Sequence, residues 1–441
     1  MTTEHPKITE PAAQPLYRLH PLTPVLRGFK YFGAIVAVVS VREVGQLGVQ
    51  RTLEFLPVVV VAGFVLAYLS WRFTWYRIEG RELHVESGVL FRRSRRVPLE
   101  RVQAVDIVRP LIGRALGLAE LRLEVVGQGA TEAPLAYLGD EQAQRLRDRL
   151  LALAAGVDEH APAPEETVLA RVPTRDLIVS VLLLGQVVVG LPVLVAVTVG
   201  LLIVNVQAFF ATLPALAPVA FGIFRTTVQR VLVEYGFTLA TSADGLRLRH
   251  GLLETRLQTV PPGRVQALRL VQPILWRRRD WARLEIDVAG YGGDEGEQLA
   301  TRALLPVAPR AICEHLVDLV LGGVDLTRLP RRPVPPRAAW CDPLQWRQLG
   351  LALTPHVLVV SRGRLRRVLD IVPLAKVQSV RVVQGPLQRW QRLASVHIDT
   401  AGRHLSTEAA HRDRDEVRGL VEELSDLARA ERVRRRPVPG T

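Results

Sequence analysis

A chain of 441 residues exceeds one ordinary domain and has room for about two to four, each with its own core. A hydrophobic share of 48% beside a charged share of 23% requires the two characters to be segregated along the chain, and a net charge of +14 points to an anionic partner, nucleic acid or an acidic membrane leaflet. Almost all the cations are arginine, with lysine only at Lys7, Lys30 and Lys376, a bias that a GC-rich genome also produces, so charge alone does not choose between these partners. Cys313 and Cys341 are too far apart for a C-x-x-C pair and have no His or Cys neighbour at zinc-ligand spacing, which predicts a buried thiol, a loop thiol and no metal.

In chain order, residues 1–24 read as a cytoplasmic tail: prolines and charges are present, but no apolar core precedes a small-residue cleavage site. Residues 25–73 read as a first transmembrane hairpin. Its second span is the uncharged run 55–71, with Trp71, Trp75 and Tyr76 at the interface. Its first span needs 25–49, with Arg27 and Lys30 snorkelling inward and Arg42 and Glu43 pairing in the outer half. A first domain at 74–155 and a linker at 156–175 follow. Residues 176–225 form a second hairpin, because about 48 residues between Asp176 and Arg225 carry no charge where one span needs about 20. The break is placed near Asn205, between a long helix containing Pro192 and a shorter one containing Pro214 and Pro218. A second domain at 226–325, a proline-rich linker at 326–337, a third domain at 338–430 and a basic tail at 431–441 complete the chain. About four spans in two hairpins leave every sizeable polar segment on one side, which the arginine bias makes cytoplasmic.

The three domains are copies of one unit, as self-similarity shows. Segments 88–124, 251–287 and 363–399 align without a net gap. Gly88, Gly251 and Gly363 coincide; so do Val97-Pro98, Val260-Pro261 and Val372-Pro373, and the triplets Arg101-Val102-Gln103, Arg264-Val265-Gln266 and Lys376-Val377-Gln378. Ala119, Ala282 and Ala394 precede a last strand, and only Pro386 falls one residue later than Pro110 and Pro273. Alternation in Leu246-Arg247-Leu248-Arg249 and in Leu121-Arg122-Leu123-Glu124 predicts strands with one buried face. Helical patterns at 141–153, 307–321 and 413–430 close the copies, giving a small β sandwich or partly open barrel with a C-terminal helix.

On these residues the chain resembles the bacterial pleckstrin-homology-like (PH-like) domain of YdbS/YdbT-type membrane proteins, and the order hairpin, domain, hairpin, domain, domain resembles the longer, YdbT-like members. The resemblance implies a multi-pass protein of the bacterial plasma membrane with cytoplasmic PH-like domains, no catalytic residues, and a role in envelope stress or tolerance of antimicrobial peptides. The sequence departs from the pattern at Pro262 and Gly263, where the first copy has Leu99 and Glu100, and in the Trp- and Arg-rich stretch 276–281.

No nucleophile, acid-base pair or metal cluster stands at workable spacing, so no enzyme activity and no cofactor are expected. His84, His250, His356, His397, His404 and His411 are scattered, and none repeats at an aligned position. Gly127-Gln128-Gly129 and Gly290-Tyr291-Gly292-Gly293 precede no helix and read as hairpin turns rather than phosphate cradles. The repeated Val-Gln reads as a core valine and a glutamine bonding nearby backbone or covering a sheet edge. Two basic clusters at the same hairpin are the candidate contact residues for a headgroup or partner: Arg92, Arg93, Arg95 and Arg96, and Arg362, Arg364, Arg366 and Arg367. The leading expectation is a non-enzymatic scaffold that docks another membrane or cytoplasmic protein, such as a smaller PH-like membrane protein; the alternative is direct binding of anionic phospholipid headgroups. A transporter fits less well, because the helices carry almost no ionisable residues beyond Arg42 and Glu43. Nucleic acid is not expected, since neither interleaved aromatics nor a groove-reading helix is present.

Overall fold

The computed structural model describes residues 17–18, 61, 65, 68–69, 71–79, 82–87, 93–98, 102–125, 135–155, 166–242, 245–261, 263–289, 302–402 and 404–434. The first span expected at 25–49, Arg92 and the glycine turns at 127–129 and 290–293 lie outside these residues. The chain divides into two compact units, Met1–Ala163 and Pro164–Thr441.

In the first unit, β1 (Tyr17–Arg18), β2 (Trp75–Glu79), β3 (Glu82–Ser87) and β4 (Arg93–Pro98) form a sheet in that order. Strand β5 (Val102–Pro110), the short helix α1 (Leu111–Ala115), β6 (Leu118–Val125) and β7 (Leu135–Gly139) follow, and α2 (Asp140–Ala155) closes the copy. Strands β5 and β6 pair antiparallel, as do β6 and β7.

The second unit opens with β8 (Thr167–Arg171), α3 (Thr174–Leu182), α4 (Leu191–Val204) and α5 (Val206–Glu234). The second copy continues with β9 (Thr238–Ser242), β10 (Gly245–His250), β11 (Glu254–Val260), β12 (Val265–Pro273), β13 (Trp281–Val288), β14 (Ala303–Pro309) and α6 (Arg310–Leu321). The third has β15 (Arg332–Pro333), β16 (Gly350–Leu353), β17 (Val357–Arg362), β18 (Arg366–Pro373), β19 (Val377–Val383), α7 (Pro386–Trp390), β20 (Leu393–Thr400), β21 (Thr407–Asp413) and α8 (Arg414–Arg434). Each copy is thus four antiparallel strands, three more, and a closing helix.

The first strand of each copy corrects the sequence-based boundaries. Tyr17 pairs with Tyr76, Thr167 with Thr241 and Arg332 with Leu351. The segments 156–175 and 326–337 are therefore not linkers throughout: each carries the first strand of the domain that follows. The second hairpin is inserted between the first and second strands of its domain, and in the third copy a short connection takes that place.

The repeated glycine is a requirement of the fold. Gly251 and Gly363 sit at φ +107° and +85°, where a Cβ would lie 2.0 and 1.9 Å from the carbonyl oxygens of Glu254 and Arg366; only glycine makes this hairpin turn. The closing helix of the third copy packs one face against its strands. In α8, Val417, Leu420, Leu424 and Ala428 fall at helical spacing and pack on Leu374, Val377, Val396 and Ile398. Each fully buried leucine there contributes about 1.5–3 kcal/mol. Asp413 caps the helix by accepting from the Asp415 amide at 3.0 Å.

Among the described residues, two helical stretches, Gln186–Val204 and Val206–Glu234, are long and apolar enough to cross a membrane, and their most apolar parts carry no buried residue. They meet at Asn205, the expected break, whose Oδ1 accepts from the amides of Gln207 and Ala208 at 2.9 and 3.1 Å. Two details differ from expectation. Pro192 lies in the first turn of α4, after a wide turn at Gln186–Gly190, because proline cannot donate to the preceding turn. The helix with Pro214 and Pro218 is the longer one, since α5 runs beyond the uncharged stretch to Glu234.

Candidate functional site

The C-terminal end of α5 is fixed to the second copy by buried polar contacts. Glu234, its last residue, accepts from Arg283 of β13 at 2.5 Å and from Arg230 at 3.2 Å, and Arg283 also reaches Glu285 at 3.0 Å. Burial pulls the Arg283 guanidinium down, but the carboxylates of Glu234 and Glu285 outweigh it and hold the pKa above its ordinary value. Trp276 is buried, donates from Nε1 to the Ser180 carbonyl of α3 at 3.0 Å and lies under Arg230. His250 stacks on Phe237 and meets the Val233 carbonyl at 2.8 Å through Nδ1. These contacts join the helices to the second copy.

A continuous sheet joins the second copy to the third. Its order is β14-β13-β12-β18-β17-β16-β15, with β12 of the second copy antiparallel to β18 of the third. At the centre of the seam Arg269 lies opposite Asp370, which is buried and also accepts from Arg362 at 3.0 Å. Asp287, fully buried, accepts from the amides of Leu405 and His404 at 2.9 and 3.3 Å. Gly402 permits this approach, since a Cβ there would stand 2.1 Å from the Asp287 carboxylate.

Beside the seam lies a cavity of about 370 Å³ lined by Arg310, Arg331, Arg347, Arg362 and Arg367, with Ser361 and the strand residues Leu270 and Gln272. No carboxylate is among its lining residues. Arg310 is engaged by Glu314 at 2.7 Å, Arg362 by Asp370, and Arg347 lies over Trp346, so only part of the charge is compensated. Near it, burial and then the neighbouring Arg367 charge lower the Arg277 pKa. The arrangement suits an anion of phosphate size or larger. Of the sequence candidates, Arg362 and Arg367 line the cavity, whereas Arg364 and Arg366 stand exposed at the tip of the β17–β18 hairpin. Arg93, Arg95 and Arg96 fall on β4, with Arg96 exposed. Arg310, Arg331 and Arg347 were not singled out from sequence, because they come from a helix start, the proline-rich segment and the connection before β16.

The bacterial PH domain model matches residues 32–154, 177–320 and 303–435, once for each copy. The chain belongs to the bacterial PH domain family. It is also similar to the UPF0699 transmembrane protein YdbT of Bacillus subtilis (strain 168), 21% identical over 300 residues that cover 60% of this chain and 60% of that protein. With its two apolar helical stretches, it is a transmembrane protein with bacterial PH domains.

The third PH domain presents an exposed apolar face. Its strand β19 pairs only with β20 among the described strands, leaving Val382 and Val383 50% and 47% exposed. Trp340 and Trp390, 69% and 70% exposed, stand edge to face at 6.3 Å, with Leu387 on the same short helix as Trp390. Cys313 is buried, with its pKa pushed up to about 12 chiefly by burial, and Gln266 bonds the Arg264 carbonyl at 3.2 Å.

Proposed function

We propose that this chain is a non-enzymatic scaffold of the bacterial plasma membrane, which holds its PH domains rigidly at the cytoplasmic face and docks another protein on the third. The carrying observation is the unbroken run of buried contacts from α5 through Glu234 and Arg283 to β13 and across the β12–β18 seam. A domain already fixed to membrane helices gains little localisation from lipid affinity, whereas a rigid platform with an exposed Trp340–Trp390 face suits protein docking. A part in envelope stress or antimicrobial tolerance fits such a platform. A second reading, favoured by the five-arginine cavity, is that the PH domains bind a phosphate-bearing lipid headgroup.

Site-specific photocrosslinking in intact membranes tests both. A crosslinker at Trp390 should give protein adducts on the scaffold reading, and one at Arg331 should give lipid adducts on the headgroup reading. Lipid adducts at Arg331 with none to protein at Trp390 would overturn the leading proposal. Orientation is tested by reporter fusions, which should sit in the cytoplasm after residues 160, 330 and 441 and outside near residue 205.

A further inference from the structure

We propose that the free edge of β19 receives, antiparallel, a β-strand from a PH-like domain of a different chain, with a carboxylate on that strand facing Arg381. This rests on the scaffold reading and names the partner by its chemistry.

Strands β12 and β19 are the same strand in successive domains: Val265, Gln266 and Arg269 align with Val377, Gln378 and Arg381. In the second domain that edge is covered, because Leu268 to Pro273 pair with Ile371 to Arg366 of the next domain. Leu270 and Val271 are consequently only 2% exposed, whereas the aligned Val382 and Val383 are about half exposed. An apolar edge left open invites strand addition, and natural sheets usually blunt or cover such edges.

The seam also defines what the incoming strand carries. Arg269 takes its carboxylate from the neighbouring domain, at Asp370, while Asp287 is left to accept that domain's Leu405 and His404 amides. In the third domain the aligned pair is closed on itself: Arg381 holds Asp399 through two bonds of 2.7 and 2.9 Å. An acidic strand on β19 would draw Arg381 away and release Asp399 to the incoming domain, reproducing the seam. A second copy of this chain does not supply that strand. Its β4 has Arg95 at the position aligned with Asp370, its β11 has Gln258, and its β18 already covers β12. Arginine facing arginine repels, so the charge pattern selects another chain.

The test uses the full chain in detergent and a fluorescent peptide copying residues 364–374, the strand that covers β12. The peptide should bind saturably, and Arg381→Glu should weaken it about tenfold, a loss of about 1.4 kcal/mol. The same peptide carrying Asp370→Arg should bind the Arg381→Glu chain and not the wild type. Arg381→Ala, which puts no second acid beside Asp399, should also weaken binding while lowering the unfolding temperature no more than loss of an exposed ion pair does. Binding indifferent to Arg381, or Arg381-dependent dimerisation of the chain alone, overturns the inference. Protein adducts at Trp390 that persist in Arg381→Glu would leave the scaffold reading standing while this inference falls.

Discussion

The second and third PH domains follow one strand plan and differ in what occupies two openings in it. The first opening lies between the first and second strands. In the second domain it holds the membrane hairpin, and in the third a short connection bearing Trp340 and Trp346. The second opening is the edge of the strand after the fourth. In the second domain β18 covers it, and in the third it is open among the described strands. Side chains follow these uses. Arg283 and Trp276, which grip the helices, align with Ser395 and Gln388, which bond each other at 3.0 Å in the third domain. One fold thus seats a membrane hairpin in one copy and leaves a strand edge open among the described strands in the next, through few substitutions at the two openings.

The largest effect should come from breaking the anchor. Glu234→Ala leaves Arg283 and Arg230 without their shared buried carboxylate, and removing one partner of such a cluster costs about 3–5 kcal/mol. Thermal unfolding of the full chain in detergent should show this loss in the second domain. Ser395→Ala, the aligned change in the third domain, should cost under about 1.5 kcal/mol, the range of an ordinary hydrogen bond. Equal losses would remove the distinction between anchor and docking module.

An intermediate effect is expected at the seam. Asp287→Ala strands the amides of Leu405 and His404 in a buried place, at about 1–3 kcal/mol. Hydrogen exchange at residues 404–407 should accelerate accordingly, and Gly402→Ala should loosen the same loop by forcing a Cβ against Asp287. The aligned Asp399→Ala breaks only an exposed pair with Arg381 and should cost under about 1 kcal/mol. The Asp399 carboxyl is held down at about 2, first by its bond from Arg381 and then by Ser379. Its small contribution is therefore present above the usual carboxylate range near 3.8 and disappears as pH falls through about 2.

What the sequence revealed and what it hid follow from the range of the interactions. The Asn205 break, the hairpin glycines and the closing helices are local and could be read directly. The inserted hairpin could not, because Thr167–Arg171 has little alternation and finds its partner Thr238–Ser242 only across the membrane helices. A signal was nonetheless present in the apolar Val168-Leu169-Ala170 flanked by charge. The arginine cavity was half visible: Arg362 and Arg367 sit on a hairpin that self-alignment marks. Arg310, Arg331 and Arg347 meet them only because β12 and β18, from different copies, share a sheet. Pairing between copies leaves no pattern within either one.

The smallest effect concerns pH and again divides the two domains. His250 is 2% exposed at the base of the hairpin, and its pKa is lowered from the usual 6.5, chiefly by burial. Its Nδ1 meets the Val233 carbonyl, while Nε2 is buried and has no hydrogen-bond partner among the described residues. Protonation would place an unsatisfied N–H and a charge in the core. Because the folded pKa lies below the unfolded one, the unfolded chain binds more protons in this window. Stability is full above about pH 6.5 and declines as pH falls toward the folded pKa, by at most about 1.4 kcal/mol per pH unit for one proton. The third domain has Arg362 at the aligned position. Unfolding followed between pH 7.5 and 5.5 should show the second domain losing stability relative to the third, and His250→Gln should flatten that difference. If the pH slope persists in His250→Gln, the base of the hairpin is not where the two domains part on acidification.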